Sequence, residues 1–380
     1  MREPRILILT ASFGTGHIQV ANSLCQEAKY QGISQVTVSN LLAEAYPFLT
    51  QMTEYLYLKC FSYGQPLYKM FYYSLDKWND HRLLKWYYYV GRKRLLTLIQ
   101  TESPDMIINT FPLMVVPQFR QYSGFQLPIF NVLTDYCLHK MWVHPYINRY
   151  FVATPKLKEA LAQKYVPRDK IIVSGIPIRP AFELPISSDI LYKRYKLSPN
   201  NPIVTILAGA QGLLKHVKRT CKQLIHETDV QIVVVCGHNT KLSEELSSLQ
   251  HLYPHRLRVF PFVEQIDELF RLSTVMVTKP GGITLTEATA TTTPLILYKP
   301  VPGQEQENAR YFEQKRAAVI VSSGKDLLPT ILRVLKDPKK QQQMKQSLAS
   351  MYRPNASRTI IDHVIHWFEN YHENRFHQLI

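Results

Sequence analysis

The sequence runs to 380 residues with 46% hydrophobic content, enough to bury two cores of ordinary size, so a globular two-domain chain is expected and a disordered one excluded. Its net charge of +16 draws it to a polyanion: nucleic acid, anionic lipid head groups or a phosphorylated substrate. The five cysteines, Cys25, Cys60, Cys137, Cys221 and Cys236, are scattered and odd in number, which argues against a disulfide framework and for a reducing cytosol.

Met1-Arg2-Glu3-Pro4 leads only into a short apolar strand, so no signal peptide is expected. No apolar run approaches the roughly 20 residues of a membrane span, so any membrane contact is expected to be peripheral. Arg5 to Thr10 (RILILT) reads as a buried strand, followed by ASFGTGH and an amphipathic helix with Ile18, Ala21, Leu24, Cys25 and Ala28 on one face. The loop is not the dinucleotide G-x-G-x-x-G, and alone it reads as a tight turn. His17 is its informative residue. It falls at the carboxyl end of the first strand, where open α/β sheets bind ligands, and at a helix N-terminus, whose dipole favours a neutral imidazole able to act as a base. The competing reading is a surface or capping histidine.

Residues 46 to 95 break the α/β rhythm. Eleven Tyr and Trp residues between Tyr55 and Tyr89, including Trp78 and Trp86, alternate there with Lys69, Arg82, Lys85 and further cations. Three readings stay open: an interfacial membrane surface, a nucleic-acid groove with stacking platforms, and half-buried helix faces over the sheet.

Asp105 to Asn109 and Ile129 to Thr134 are core strands, and the second places Asp135 at its carboxyl end, either in an active-site cleft or as a helix cap. Cys137, His139 and His144 fit no zinc spacing, so no metal site is expected. Tyr150 to Ala153 and Lys170 to Ser174 are short strands, and Gly175-Ile176-Pro177-Ile178-Arg179-Pro180 closes the first half. Prolines 180, 185, 199 and 202 mark a domain boundary between about 180 and 200. The second half restarts with a strand from Ile203 to Ala208 and a glycine loop, Gly209-Ala210-Gln211-Gly212. A strand from Val230 to Cys236 follows, and then Val259 to Val263, whose side chains Phe262 and Val263 are expected in the core, before a helix from Ile266 to Leu272.

The most informative stretch is TKPGGITLTEATATTTPLILYKPVPGQEQENA, residues 278 to 309. A β-branched strand ends at Lys279-Pro280, and Gly281-Gly282 leads into a helix expected from about Thr284. Glycines without Cβ, free N–H groups and the positive end of the helix dipole suit this junction to an anion, the competing reading being an ordinary βα turn. Glu287, expected in the first turn, is suited to the hydroxyls of a ribose attached to that phosphate. After a second strand, Leu295 to Lys299, Gln304, Glu305 and Asn308 gather at the start of another helix and suit sugar hydroxyls.

KPGGITLTEA followed by KPVPGQEQENA resembles the donor-binding signature of glycosyltransferase family 28, and the whole chain resembles the processive diacylglycerol β-glucosyltransferases of Gram-positive bacteria. That resemblance implies an α/β fold of GT-B architecture, two Rossmann-like domains facing a central cleft. Residues 1–180 would be an acceptor- and membrane-binding domain, 181–355 a UDP-sugar-binding domain, and 356–380 a helix packing back on the first. It implies His17 as catalytic base, with Asp135 holding the acceptor or orienting His17. The donor would meet Gly16, Arg179, Gly209, Gln211, Gly212, Phe262, Val263, Gly281, Gly282, Thr284, Glu287, Gln304, Glu305 and Asn308. Two departures from the family's G-G-S-Q-G loop stand out: Ala208 replaces the first glycine and Ala210 the serine, so a hydroxyl donor to phosphate is lost. A membrane surface would use Lys69, Trp78, Arg82, Lys85 and Trp86.

The implied reaction is inverting, moving glucose from UDP-glucose to the sn-3 hydroxyl of diacylglycerol and then, through β-1,6 linkage, to glucosyldiacylglycerol. The product is a membrane glycolipid and lipoteichoic acid anchor. No metal or other cofactor and no nucleic acid are expected, and the enzyme would sit peripherally on the cytoplasmic face of the cell membrane, drawn to its anionic surface. Rival readings are UDP-galactose or UDP-N-acetylglucosamine as donor, a sugar-nucleotide epimerase of the same architecture, and a nucleotide-regulated protein that binds nucleic acid or membrane without transfer activity.

Overall fold

In the computed structural model of the protein the described residues are 2–12, 14–48, 89–208 and 217–377. They fall into two compact units, one running to Arg179 and resuming at Arg353, the other spanning Pro180–Tyr352.

The first unit is built on six parallel strands: β1 (Ile6–Thr10), β2 (Val36–Asn40), β3 (Met106–Asn109), β4 (Ile129–Val132), β5 (Arg149–Val152) and β6 (Ile171–Val173), in the order β2-β1-β3-β4-β5-β6. Helices α1 (Gly16–Tyr30), α2 (Leu41–Ala45), α3 (Arg92–Glu102), α4 (Val115–Ser123) and α5 (Pro155–Ala162) alternate with them. β1, β3 and β4 are buried along their whole length, which is why they read as continuous apolar runs. β2 was not anticipated. It is an edge strand, mostly half-buried, whose Thr37, Ser39 and Asn40 carry no strong apolar pattern. From β1 the chain runs outward to β2, then returns to the other side of β1 with β3. That reversal of strand order opens a crevice at the carboxyl ends of β1 and β3.

Helix α6 (Ser188–Tyr195) opens the second unit, whose strands are β7 (Ile203–Leu207), β8 (Gln231–Val235), β9 (Leu257–Phe260), β10 (Val275–Thr278), β11 (Leu295–Tyr298) and β12 (Ala318–Val321). They too form one parallel sheet, β12-β11-β10-β7-β8-β9, with the reversal between β7 and β10. The intervening helices are α7 (Val217–Glu227), α8 (Thr240–Leu252), α9 (Ile266–Leu272), α10 (Gly282–Thr291), α11 (Gln304–Gln314), α12 (Gly324–Leu335) and α13 (Pro338–Met351). The core beneath one face joins Val204, Ile206, Val234, Val277 and Ile296 to Leu224, Leu246, Ile331 and Met344.

Helix α14 (Ala356–His377) belongs to the first unit and packs on it. Ile360, Ile361, Val364 and Phe368 are buried along one helical face. The Trp367 ring meets Phe130 edge-on at 5.7 Å and lies under the Arg149 guanidinium at 5.3 Å, while Asp362 accepts a 2.8 Å hydrogen bond from Gln31, the C-cap of α1. Gly175, just past β6, lies against the start of this return. Its φ is +84°, and a Cβ there would stand 2.7 Å from the Cβ of Arg353. Any side chain there is strained.

Candidate active site

In the first unit the carboxyl ends of β1, β3 and β4 converge on one imidazole. His17 is the second residue of α1, whose N-cap Thr15 makes no side-chain cap bond and whose first turn carries no acid. The Nδ1 of His17 lies 2.9 Å from the carbonyl oxygen of Thr110, just past β3, and 2.9 Å from the Oγ1 of Thr134, just past β4. A carbonyl oxygen can only accept, so Nδ1 carries the proton, and in the neutral ring the lone pair falls on Nε2. Thr110 locks the helix start in return: its Oγ1 donates to the backbone oxygen of His17 at 3.1 Å. Phe111 packs edge-on against the ring, centroids 5.0 Å apart.

Burial is the main force on this histidine. It pushes the pKa of His17 below the ordinary value, the charge of Asp135 opposes it, and the Thr110 carbonyl opposes it further. Sequence reasoning credited neutrality to the helix dipole, whereas burial is the larger cause. Asp135 is itself only 7% exposed, and its charge favours the imidazolium form of His17. Gly16 begins α1 directly before His17. Arg179, half-buried, is the last residue of the unit before Pro180.

In the second unit β10 ends in Lys279-Pro280-Gly281, and α10 begins at Gly282. The helix therefore starts two residues before the expected Thr284. This corrects the placement of Glu287, which lies in the second turn, five residues and about 7.5 Å of helix rise from Gly282, and is 5% exposed. The N-cap Gly281 makes no side-chain cap bond. Among the described residues a Cβ on it would meet only the Thr284 Oγ1, at 4.0 Å.

The next loop is tied to this one. Asn308, 1% exposed on α11, donates through Nδ2 to the Pro280 carbonyl at 3.2 Å. The Oε2 of Glu305 accepts from the Val301 backbone N–H at 2.9 Å and lies 3.9 Å from the Nζ of Lys279. Gln304 opens α11 behind Gly303, whose φ is +98°. The Asn308 amide is thus a brace between loops, and one Glu305 oxygen is engaged inside the protein.

Lys279 was read only as a strand end. Its side chain is 11% exposed and its Nζ donates to the carbonyl of Lys299. Burial pushes its pKa down, with Glu305 opposing and Lys299 adding to the fall. His238 was also missed. It follows β8 and stacks on Phe262, centroids 5.2 Å apart and planes 13° from parallel. Phe262 was expected in the core and is instead 61% exposed, because Pro261 and Phe262 lie past the end of β9, on the same edge of the sheet as Gly281. Val263 is partly buried against the cluster around Leu269. Three strand spacings, about 14 Å, separate β9 from β10.

Gly209, Gln211 and Gly212, and the aromatic-basic residues Lys69, Trp78, Arg82, Lys85 and Trp86, lie outside the described residues. Tyr46, Phe48, Tyr89, Tyr122, Phe125 and Tyr146 are exposed on the first unit, with Tyr89 stacked on Tyr122 at 6.3 Å and Arg120 over the Tyr146 ring. Among the described residues no helix is long and apolar enough to cross a membrane, and no three His, Cys, Asp or Glu residues are grouped to hold a metal. His139 accepts from the Met141 N–H, and burial takes the His144 pKa down to about 4.

Residues 17–178 match the family described as monogalactosyldiacylglycerol (MGDG) synthase, and residues 205–350 that described as glycosyl transferases group 1. A processive diacylglycerol beta-glucosyltransferase of Bacillus cereus (strain ATCC 10987 / NRS 248) is 47% identical over 365 residues, 96% of this chain and 94% of the relative. The protein of that name from Bacillus thuringiensis (strain Al Hakam) is 47% identical over the same shares. Among solved structures, an S. aureus MnaA–UDP complex superposes with a TM-score of 0.63 at 14% identity, over 96% of this chain and 97% of that one. The calicheamicin glycosyltransferase CalG4 superposes with a TM-score of 0.61 at 13% identity, over 95% and 98%. These likenesses give the two-domain α/β fold of the GT-B class, and with near-half identity to its relatives along almost its whole length the chain belongs to the processive diacylglycerol beta-glucosyltransferases.

Proposed function

We propose that the chain moves glucose from UDP-glucose to the sn-3 hydroxyl of diacylglycerol with inversion, and then to its own product through β-1,6 linkage, making mono- and diglucosyldiacylglycerol at the membrane surface. The observation that carries the reading is the tautomer of His17: with the Nδ1 proton held on the Thr110 carbonyl, Nε2 is the base. In this reaction Nε2 takes the proton of the acceptor hydroxyl as its oxygen bonds to the anomeric carbon, the bond from that carbon to UDP breaks, and UDP leaves with the electron pair. Asp135 stabilises the imidazolium so formed. The N-terminus of α10, with Gly281, Gly282 and Thr284, receives the diphosphate and its growing charge. Glu287 takes the ribose hydroxyls, Gln304 and Glu305 the glucose, and the exposed Phe262–His238 pair offers the uracil a stacking surface at the other end of the sheet edge.

In this reading residues 1–180 bind acceptor and membrane and 181–355 the UDP-sugar, with Gly16, Arg179, Gly209, Gln211, Gly212, Val263 and Asn308 completing the donor site. The net charge of +16 and the exposed aromatics of the first unit support a peripheral seat on an anionic membrane, to which Lys69, Trp78, Arg82, Lys85 and Trp86 contribute. The test is radiolabel transfer from UDP-glucose, UDP-galactose and UDP-N-acetylglucosamine, each offered with diacylglycerol in anionic micelles. A ladder of glucolipids from UDP-glucose alone is expected. Lipid product from another donor, or none from any, overturns the reading.

A further inference from the structure

We infer that Lys279 is a positioning residue that sets the hexose-recognising residues Gln304 and Glu305 against the Gly281–Gly282 loop, so that recognition of the sugar, rather than of the nucleotide, depends on its ammonium group. The inference rests on the donor-site reading above.

Three observations converge. The Lys279 side chain is 11% exposed, so its charge needs partners inside the protein. It finds them on the neighbouring loop: Nζ donates to the Lys299 carbonyl and lies 3.9 Å from the Oε2 of Glu305, the oxygen that also accepts from the Val301 N–H at 2.9 Å. Lys299 sits at φ +45°, a left-handed conformation costly for a residue with a Cβ, and its N–H donates to Val321 at 2.7 Å. The Lys299 carbonyl is thus presented to the ammonium by a strained residue pinned between two bonds. Lys279 lies two residues before Gly281, whereas Glu305 is the second residue of α11, so one side chain spans from the anion loop to the sugar loop. The brace from Asn308 to the Pro280 carbonyl joins the same loops independently, so the fold does not hang on Lys279 alone.

The experiment measures binding of UDP and of UDP-glucose by calorimetry, alongside melting temperature, for wild type, Lys279→Met, Lys279→Arg, Glu305→Gln and the Lys279→Met/Glu305→Gln double variant. Lys279→Met is expected to hold UDP within about twofold of wild type and UDP-glucose roughly tenfold more weakly, the effect of losing one charged hydrogen bond. Lys279→Arg, which keeps the charge, recovers part of the loss. The double variant loses no more than the worse single one, as two ends of one bridge must. Equal weakening of both nucleotides would mean that the ammonium acts on the diphosphate and overturns the inference, as would additive losses or unchanged UDP-glucose binding. Should Lys279→Met fail to fold, Glu305→Gln and Lys279→Arg carry the same comparison. Wild type that binds neither nucleotide overturns the donor-site reading, whereas normal wild-type binding without the split overturns Lys279 alone.

Discussion

The Nδ1 of His17 stands 2.9 Å from the carbonyl oxygen of Thr110, a contact between the second residue of α1 and the residue that follows β3, and it fixes which ring nitrogen can take a proton. Removing the ring should therefore remove the base and leave the donor half untouched. His17→Ala is expected to lower turnover about 10²- to 10⁴-fold, the ordinary range for a general base. UDP binding should not change. Steady-state kinetics with calorimetry checks both, and a wild-type rate in the variant would end the assignment.

Asp135 makes the site's pH behaviour predictable in sign. Burial places the folded pKa of His17 below its ordinary 6.5, so activity should rise with pH on an acid limb below 6.5 and be flat by neutrality. The Asp135 charge raises that pKa, so Asp135→Asn should move the acid limb to still lower pH while reducing the plateau, because the imidazolium formed in the reaction loses its counter-charge. A limb that moves upward would contradict this electrostatic role.

The two junction glycines should separate. At Gly281 a Cβ meets no described residue nearer than 4.0 Å, so Gly281→Ala should melt within a degree or two of wild type yet bind UDP at least roughly tenfold more weakly, the methyl standing where the diphosphate approaches. Gly175→Ala should do the reverse. Its left-handed φ and the 2.7 Å approach to Arg353 predict a loss of roughly 2 kcal/mol or more in denaturant unfolding.

Glu287→Gln should weaken UDP binding roughly tenfold, since the amide replaces one acceptor by a donor against the ribose hydroxyls, with little effect on binding of inorganic diphosphate. Equal loss for the two ligands would move Glu287 away from the ribose.

Strands β1, β3 and β10 were legible because their signals are local: RILILT, DMIIN and TVMVT are apolar runs that only a doubly covered sheet can bury. The junction at Gly281 was legible for the same reason, but its register was not. Gly282 is a poor helix former, so the first propensity signal is Thr284, and only the bond from Leu285 N–H to the Gly281 carbonyl reveals the earlier start that moves Glu287 up a turn. Phe262 looked like core because it lies between β9 and Val263, and its exposure follows from where the strand ends. Lys279 and His238 carried no signal at all: the hydrogen bond of one and the stacking of the other are made with residues 20 and 24 positions away, Lys299 and Phe262.

Helix α14 has a consequence for how the molecule can be divided. Among the described residues the second unit is drawn from 180–208 and 217–352, whereas the first takes segments from both sides of that span and buries Ile360, Ile361, Val364 and Phe368 of α14. A fragment ending near residue 180 would expose the apolar surface that α14 covers and should aggregate. During synthesis, then, the unit that holds His17 can close its core only after the whole second unit has emerged.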